Sequence, residues 1–359
     1  MDARSKLSAV LSQLEGFAPS LAEEYTSYVI RVLGRIRVAL AQLDAIGFNT
    51  AQVIGTHLEA LSSPILWRVL TSPELGDRLH NLRQPERLLD FLGDAIFVAE
   101  NPDRCDQHSG ELVRLAALGD VVISEKSWAS RTPYLFGSIP LDGFSVYARS
   151  TLCPGLGDAM AFDPLEWNAS VANFDAAGKF LSQTPNVAQF VRTFVRHVIL
   201  RKGDDHPGVK SSISMDRYIG RVVIVNPHQR NWTEHALADA LVHEATHSLL
   251  YTLEDEGGGP WCPPSNDRIG SPVTGSQLDP HSFIHATLVY YVLHSYWSRC
   301  ETPIAFRNER LAECEQFIEF ACAPSTIDHL ARASANRDVV DILANLWHRL
   351  KKKSLEAAV

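Results

Sequence analysis

The sequence has no CxxC pair, no long apolar run and a single short basic block, and each shortage excludes something. Its six cysteines (Cys105, Cys153, Cys262, Cys300, Cys314 and Cys322) are scattered, which argues against a disulfide framework and predicts reduced, buried thiols. The most apolar stretches, Phe194–Leu200 and Ile284–Leu293, are too short to span a bilayer and are interrupted by His or Arg. The N-terminal MDARSKLSAVLSQLEGF lacks the uninterrupted apolar segment of a secretory signal, so a cytoplasmic protein is expected. Basic residues number 33 against 42 acidic ones, a formal charge of −9. That balance offers no positive field for nucleic acid or an anionic membrane, and neither is an expected partner. The block Lys351–Lys353 reads as a solvated helix end favourable to the helix dipole. Gly257–Gly259 is no phosphate loop, because no Gly-Lys-Ser/Thr and no helix follow it.

What the chain does have is length, apolar content and histidine. Its 359 residues are 45% hydrophobic, enough for a packed core. Of 14 histidines, seven lie between His228 and His294. Apolar residues recur at helical spacing at Leu7, Val10, Leu11 and Leu14, and again at Val29, Val32, Leu33, Ile36 and Leu40. Short strands are expected at Val121–Ser124 and Phe144–Ala148, an amphipathic helix over Val187–Leu200, and a buried strand in the RVVIVN of 221–226. Asn231, with Glu234 in capping-box position, predicts a helix to about Leu253. A Gly- and Pro-rich loop follows, long enough to act as a lid. Asp279 then caps a second helix with Pro280 at its first position. The expected fold is α+β and predominantly helical: a helical N-terminal region over 1–118, then an α/β metal-binding catalytic region over 119–359. That second region carries a small mixed β-sheet and a helical C-terminal part.

The chemistry concentrates on the first of these two helices, in His243-Glu244-Ala245-Thr246-His247, an HExxH. Histidines at i and i+4 lie one turn apart on one face, so both imidazoles can reach one cation. A catalytic metal needs a third protein ligand and an open position. The extended HExxHxxGxxH form is excluded, because positions 250 and 253 are both Leu. The form that takes a Glu from a following helix also fits poorly. After Glu254, Asp255 and Glu256 no Glu occurs until Glu301, and 280–298 carries no carboxylate. That second helix carries His281, His285 and His294 instead. His285, one turn inside it and flanked by Phe283, Leu288 and Val289, is the candidate third ligand; a core histidine satisfied by hydrogen bonds is the alternative. His281 and His294 read as capping or surface histidines.

The stretch ALVHEATHSLLYTLED, followed after a loop by SPVTGSQLDPHSFIHATLVYYVLHSYW, resembles the HEXXH-motif proteins of natural-product and peptide-modification genes. Some of these are Fe(II)- and 2-oxoglutarate-dependent peptide β-hydroxylases. The upstream SSISMDRYIGRVVIVN is similar to that family's Ser-rich segment and strand, and the similarity covers about residues 205–300. One departure is the absence of a clear Arg-Pro pair in the loop before the second helix. The resemblance implies a non-haem iron held by His243, His247 and His285, with positions left for 2-oxoglutarate and dioxygen. Glu244 would then be a ligand or a group orienting one. 2-Oxoglutarate needs a cationic anchor, and Arg217 and Arg268 flank the motif; Ser212 and Ser214 could hydrogen-bond a carboxylate. The function expected on this basis is hydroxylation of an unactivated carbon in a peptide or amino-acid-like natural-product intermediate, free, leader-peptide-borne or carrier-bound. The alternative is a zinc-dependent metallohydrolase holding Zn(II), with Glu244 as general base.

Overall fold

The computed structural model describes residues 3–80, 82–100, 122–123, 129–130, 133–143, 160–203, 211–300 and 304–357. The protein is predominantly helical, with thirteen helices among the described residues and a small mixed sheet. Six helices come first: α1 (Ala3–Leu14), α2 (Leu21–Ala45), α3 (Asn49–Ala60), α4 (Ser63–Leu70), α5 (Pro73–His80) and α6 (Pro85–Glu100). Their apolar stripes face inward as the spacing requires, burying Leu7, Val10, Leu11 and Leu14 on α1 and Val29, Val32, Ile36 and Leu40 on α2. Among the described residues, no helix is long and apolar enough to cross a membrane.

A two-residue antiparallel pair, β1 (Val122–Ile123) with β2 (Ala129–Ser130), falls where the first short strand is expected. The expected strand over 144–148 lies outside the described residues. The main sheet uses β3 (Tyr134–Leu135), β4 (Ile139–Asp142), β5 (His197–Arg201), β6 (Ser211–Ile213) and β7 (Arg221–Val225), in the order β3-β4-β5-β7-β6. The inner pairs β4–β5 and β5–β7 are parallel, whereas β3 and β6 join the edges antiparallel. Before β5 run α7 (Pro164–Ser182) and α8 (Pro185–Phe194).

One element differs from expectation. The amphipathic helix over 187–200 stops at Phe194, and His197–Arg201 is the central strand of the sheet. Every residue of that strand is buried, as befits a parallel strand covered on both faces. A short continuous apolar run rich in β-branched residues satisfies either periodicity, and packing decides.

The remaining elements are α9 (Glu234–Gly257), the short antiparallel pair β8 (Ile269–Gly270) and β9 (Gln277–Leu278), α10 (Pro280–Trp297), α11 (Ile304–Ala321), α12 (Pro324–Arg332) and α13 (Arg337–Ala357). Thr233, not Asn231, caps α9: its Oγ1 accepts the Ala236 N–H at 3.2 Å. The Asp279 cap of α10 is as expected, with Oδ1 accepting the Ser282 N–H at 3.0 Å and Pro280 at the first position.

The chain divides into two compact units, Tyr25–Ser248 and Met1–Glu24 with Leu249–Val359. The first contains the main sheet, at one end of which sits a buried charge network. His197 and Arg221 are register partners opening β5 and β7. His197 Nδ1 lies 3.3 Å from Glu74 Oε1 and its Nε2 lies 3.3 Å from Asp142 Oδ2. The Arg221 guanidinium lies 3.8 Å from Glu74 and stacks 3.3 Å over the Tyr218 ring. Two carboxylates against two cations make the group neutral when all are ionised, the condition under which buried charge is tolerated. Burial alone would depress the His197 pKa, but the Glu74 charge and the hydrogen bonds to Asp142 and Glu74 outweigh it and push it up to about 9.

In the second unit α10 is buried along most of its length, with Tyr290 stacked on Phe317 of α11 at 4.3 Å and Tyr291 donating to Glu15. Cys262, Cys300 and Cys314 are buried thiols outside any disulfide, and Cys322 is a half-buried one. Cys105 and Cys153 lie outside the described residues.

Candidate metal centre

Helix α9 is apolar and buried on most faces, with Leu237, Leu241, Val242 and Ala245 fully inside. Half-buried residues in its sheet-unit part recur every four positions, at His235, Asp239, His243 and His247, forming one accessible stripe. The HExxH histidines therefore reach solvent from a helix anchored on its other sides. His243 Nε2 and His247 Nε2 lie 3.2 Å apart. Two ligand nitrogens about 2.1 Å from one cation have that separation at an angle of about 100°. The donor pair fits a metal.

Glu244, between them in sequence, points inward and is 1% exposed. Ser212 Oγ donates to its Oε1 at 2.6 Å, and its buried Oε2 has no hydrogen-bond partner. The serine is presented by β6, which pairs with β7 at Ser212↔Ile224. Ile213 and Met215 pack against Ile199 and Val223, so alternation along the extended segment turns Ser212 and Ser214 to the opposite side. The Ser214 hydroxyl is buried without a hydrogen-bond partner. A free donor of that kind suits a carboxylate ligand.

His285 belongs to the other unit, where it meets two residues not assigned to the centre by sequence. Its Nε2 lies 3.2 Å from Glu254 Oε2, and His281 Nε2 lies 2.9 and 3.0 Å from the two Glu254 oxygens. Trp261 N–H donates to Glu254 Oε1 at 2.8 Å. The rings of Tyr251 and Trp261 pack on His285 with centroids 4.8 and 5.6 Å away. Burial would raise the Glu254 pKa, but the hydrogen bonds and charges of His281 and His285 outweigh it and hold it at about 2. Burial pushes the His285 pKa down, against the pull of Glu254. The signal for this trio was an i, i+4 histidine pair opening α10; its carboxylate comes from the preceding helix end, which no local pattern announces.

Both arginines singled out for 2-oxoglutarate are exposed. The Arg217 guanidinium lies over the Tyr218 ring at 5.8 Å. Arg268 is turned onto its own loop, with Nη1 donating to the Ser265 and Asp267 carbonyls at 3.1 and 2.8 Å. In comparisons with known proteins, no family model matches the chain and no curated protein matches it.

Proposed function

We propose that the chain is a metal-dependent oxygenase that uses Fe(II) and 2-oxoglutarate to hydroxylate an unactivated carbon of a peptide or amino-acid-like compound. The observation that carries the metal is the 3.2 Å convergence of His243 and His247 Nε2 on the accessible stripe of α9. Iron and the keto acid would supply the oxidising chemistry. His243 and His247 hold the cation. Ser212 fixes the Glu244 carboxylate, leaving Oε2 without a hydrogen-bond partner. Ser214 offers its unpartnered hydroxyl to a ligand carboxylate. The oxygenase choice rests on the resemblance of 205–300 to peptide β-hydroxylases.

A zinc hydrolase is the second reading, and the unpartnered Oε2 of Glu244, the residue next to His243 in the motif, favours it: such a carboxylate can serve as the general base that takes a proton from metal-bound water. One experiment separates the two. Anaerobically purified protein loaded with Fe(II) should convert 2-oxoglutarate to succinate when dioxygen is admitted, faster with a peptide pool present. Oxygen-independent peptide cleavage by the Zn(II) form, with no succinate from the Fe(II) form, would overturn the oxygenase.

A further inference from the structure

Helix α10 opens with His281-Ser282-Phe283-Ile284-His285, the same i, i+4 histidine spacing as the HExxH. Pro280 at the first helical position and the Asp279 cap fix where the helix starts, so both imidazoles leave it from the first two turns on one face. Glu254, seven residues beyond His247 on α9, brings its carboxylate to them. One donor atom from each of Glu254, His281 and His285 lies within 4.8 Å of the others.

We propose that Glu254, His281 and His285 together hold a second metal ion, a divalent ion of the first transition row. Both histidines use Nε2, the ring nitrogen far from the backbone, and both aim it at one carboxylate. The three N···O separations run from 2.9 to 3.2 Å. Adjacent ligands about 2.1 Å from an octahedral ion stand about 3.0 Å apart, so these separations match those of a coordination shell. Two imidazoles and one carboxylate with positions left over are the donor set of mononuclear Fe(II) and of catalytic Zn(II), not of the oxygen-seeking Mg(II) or Ca(II).

The surroundings act in the same direction. Glu254 is 5% exposed and His285 1%, so the carboxylate and one imidazole are held by packing. The Trp261 N–H on Oε1 orients the carboxylate from behind, as partners outside a metal's own ligands do. Tyr251 and Trp261 fix the plane of the His285 ring. His281 alone keeps 23% of its side chain accessible, which sets the side from which an ion and an exchangeable ligand arrive.

Metal stoichiometry on the full chain tests this. Protein stripped with chelator and titrated anaerobically with Co(II) should bind two equivalents. His281→Ala and Glu254→Gln should each remove one, and the paired His243→Ala and His247→Ala substitution should remove the other. His281→Ala is the primary variant, because a half-exposed first-turn residue can be truncated without opening the core. Glu254→Gln retains an acceptor for Trp261 N–H, and a circular-dichroism melt reports that each variant is folded. Unchanged stoichiometry in His281→Ala and Glu254→Gln overturns the second site. So does a single equivalent removed by His243→Ala, His247→Ala and His285→Ala alike, which makes one three-imidazole centre and leaves the proposed function standing. Two equivalents retained when His243 and His247 are both replaced would instead overturn the HExxH centre.

Discussion

Ser212 Oγ donates a 2.6 Å hydrogen bond to Glu244 Oε1, tying an edge strand of the sheet to the acidic residue of the metal motif. The bond satisfies half of a carboxylate that is 1% exposed. Losing a hydrogen bond to a buried charged group costs about 1.5–3 kcal/mol. Ser212→Ala should therefore lower the unfolding free energy by about that amount, read in urea melts. A change under about 0.5 kcal/mol would mean that water replaces the hydroxyl.

Glu244→Gln keeps the volume and an acceptor for Ser212 but removes the charge. On the hydrolase reading, metal content should remain near wild type while turnover falls by about 100-fold or more, the usual weight of a positioned acid–base group. If metal content falls as steeply as turnover, Glu244 is a ligand and not a neighbour of one.

The buried network at the head of β5 and β7 sets an alkaline limit on stability. The His197 pKa is raised to about 9 from an ordinary value near 6.5, so the folded state holds the proton more tightly than the unfolded chain. The stabilisation is complete below about pH 6.5, declines as the pH rises and is gone above about 9. Wild-type melting temperature should fall across that window, and His197→Gln should flatten the slope. An equal slope in both proteins would place the titration elsewhere.

Gly220 sits at φ +91° just ahead of β7, its N–H donating to Ser248 Oγ at 3.2 Å. A Cβ there would lie 2.9 Å from Arg196 Cγ. Gly220→Ala combines the left-handed backbone penalty with that contact and should cost about 1–3 kcal/mol, seen as a lower denaturation midpoint. A neutral result would show that Arg196 moves aside freely.

What could be read in advance was what lies within one element. The HExxH is a helical pattern, and the Asp279–Pro280 start of α10 is local hydrogen-bond chemistry, so both are visible in a linear string. His197–Arg201 is not, because five apolar-rich residues suit a helix or a buried strand equally until neighbours β4 and β7 are present. Glu254, His281 and His285 come together only when two helices pack, and His281 alone in a first turn looks like an ordinary exposed residue. Arg217 and Arg268 show the converse: proximity in sequence to the motif says nothing of burial, and both lie at the surface.

Glu74, Asp142, His197 and Arg221 come from four separate stretches of chain, and each is a buried charge that the others help to balance. A partly assembled sheet lacking any one of them would strand an uncompensated charge away from water, at several kcal/mol. The network thus favours cooperativity: a partly formed sheet that lacks one member is penalised, which couples the ordering of α5, β4, β5 and β7. Their slowest amides should accordingly exchange with solvent as a single group, at the rate of opening of the whole Tyr25–Ser248 unit.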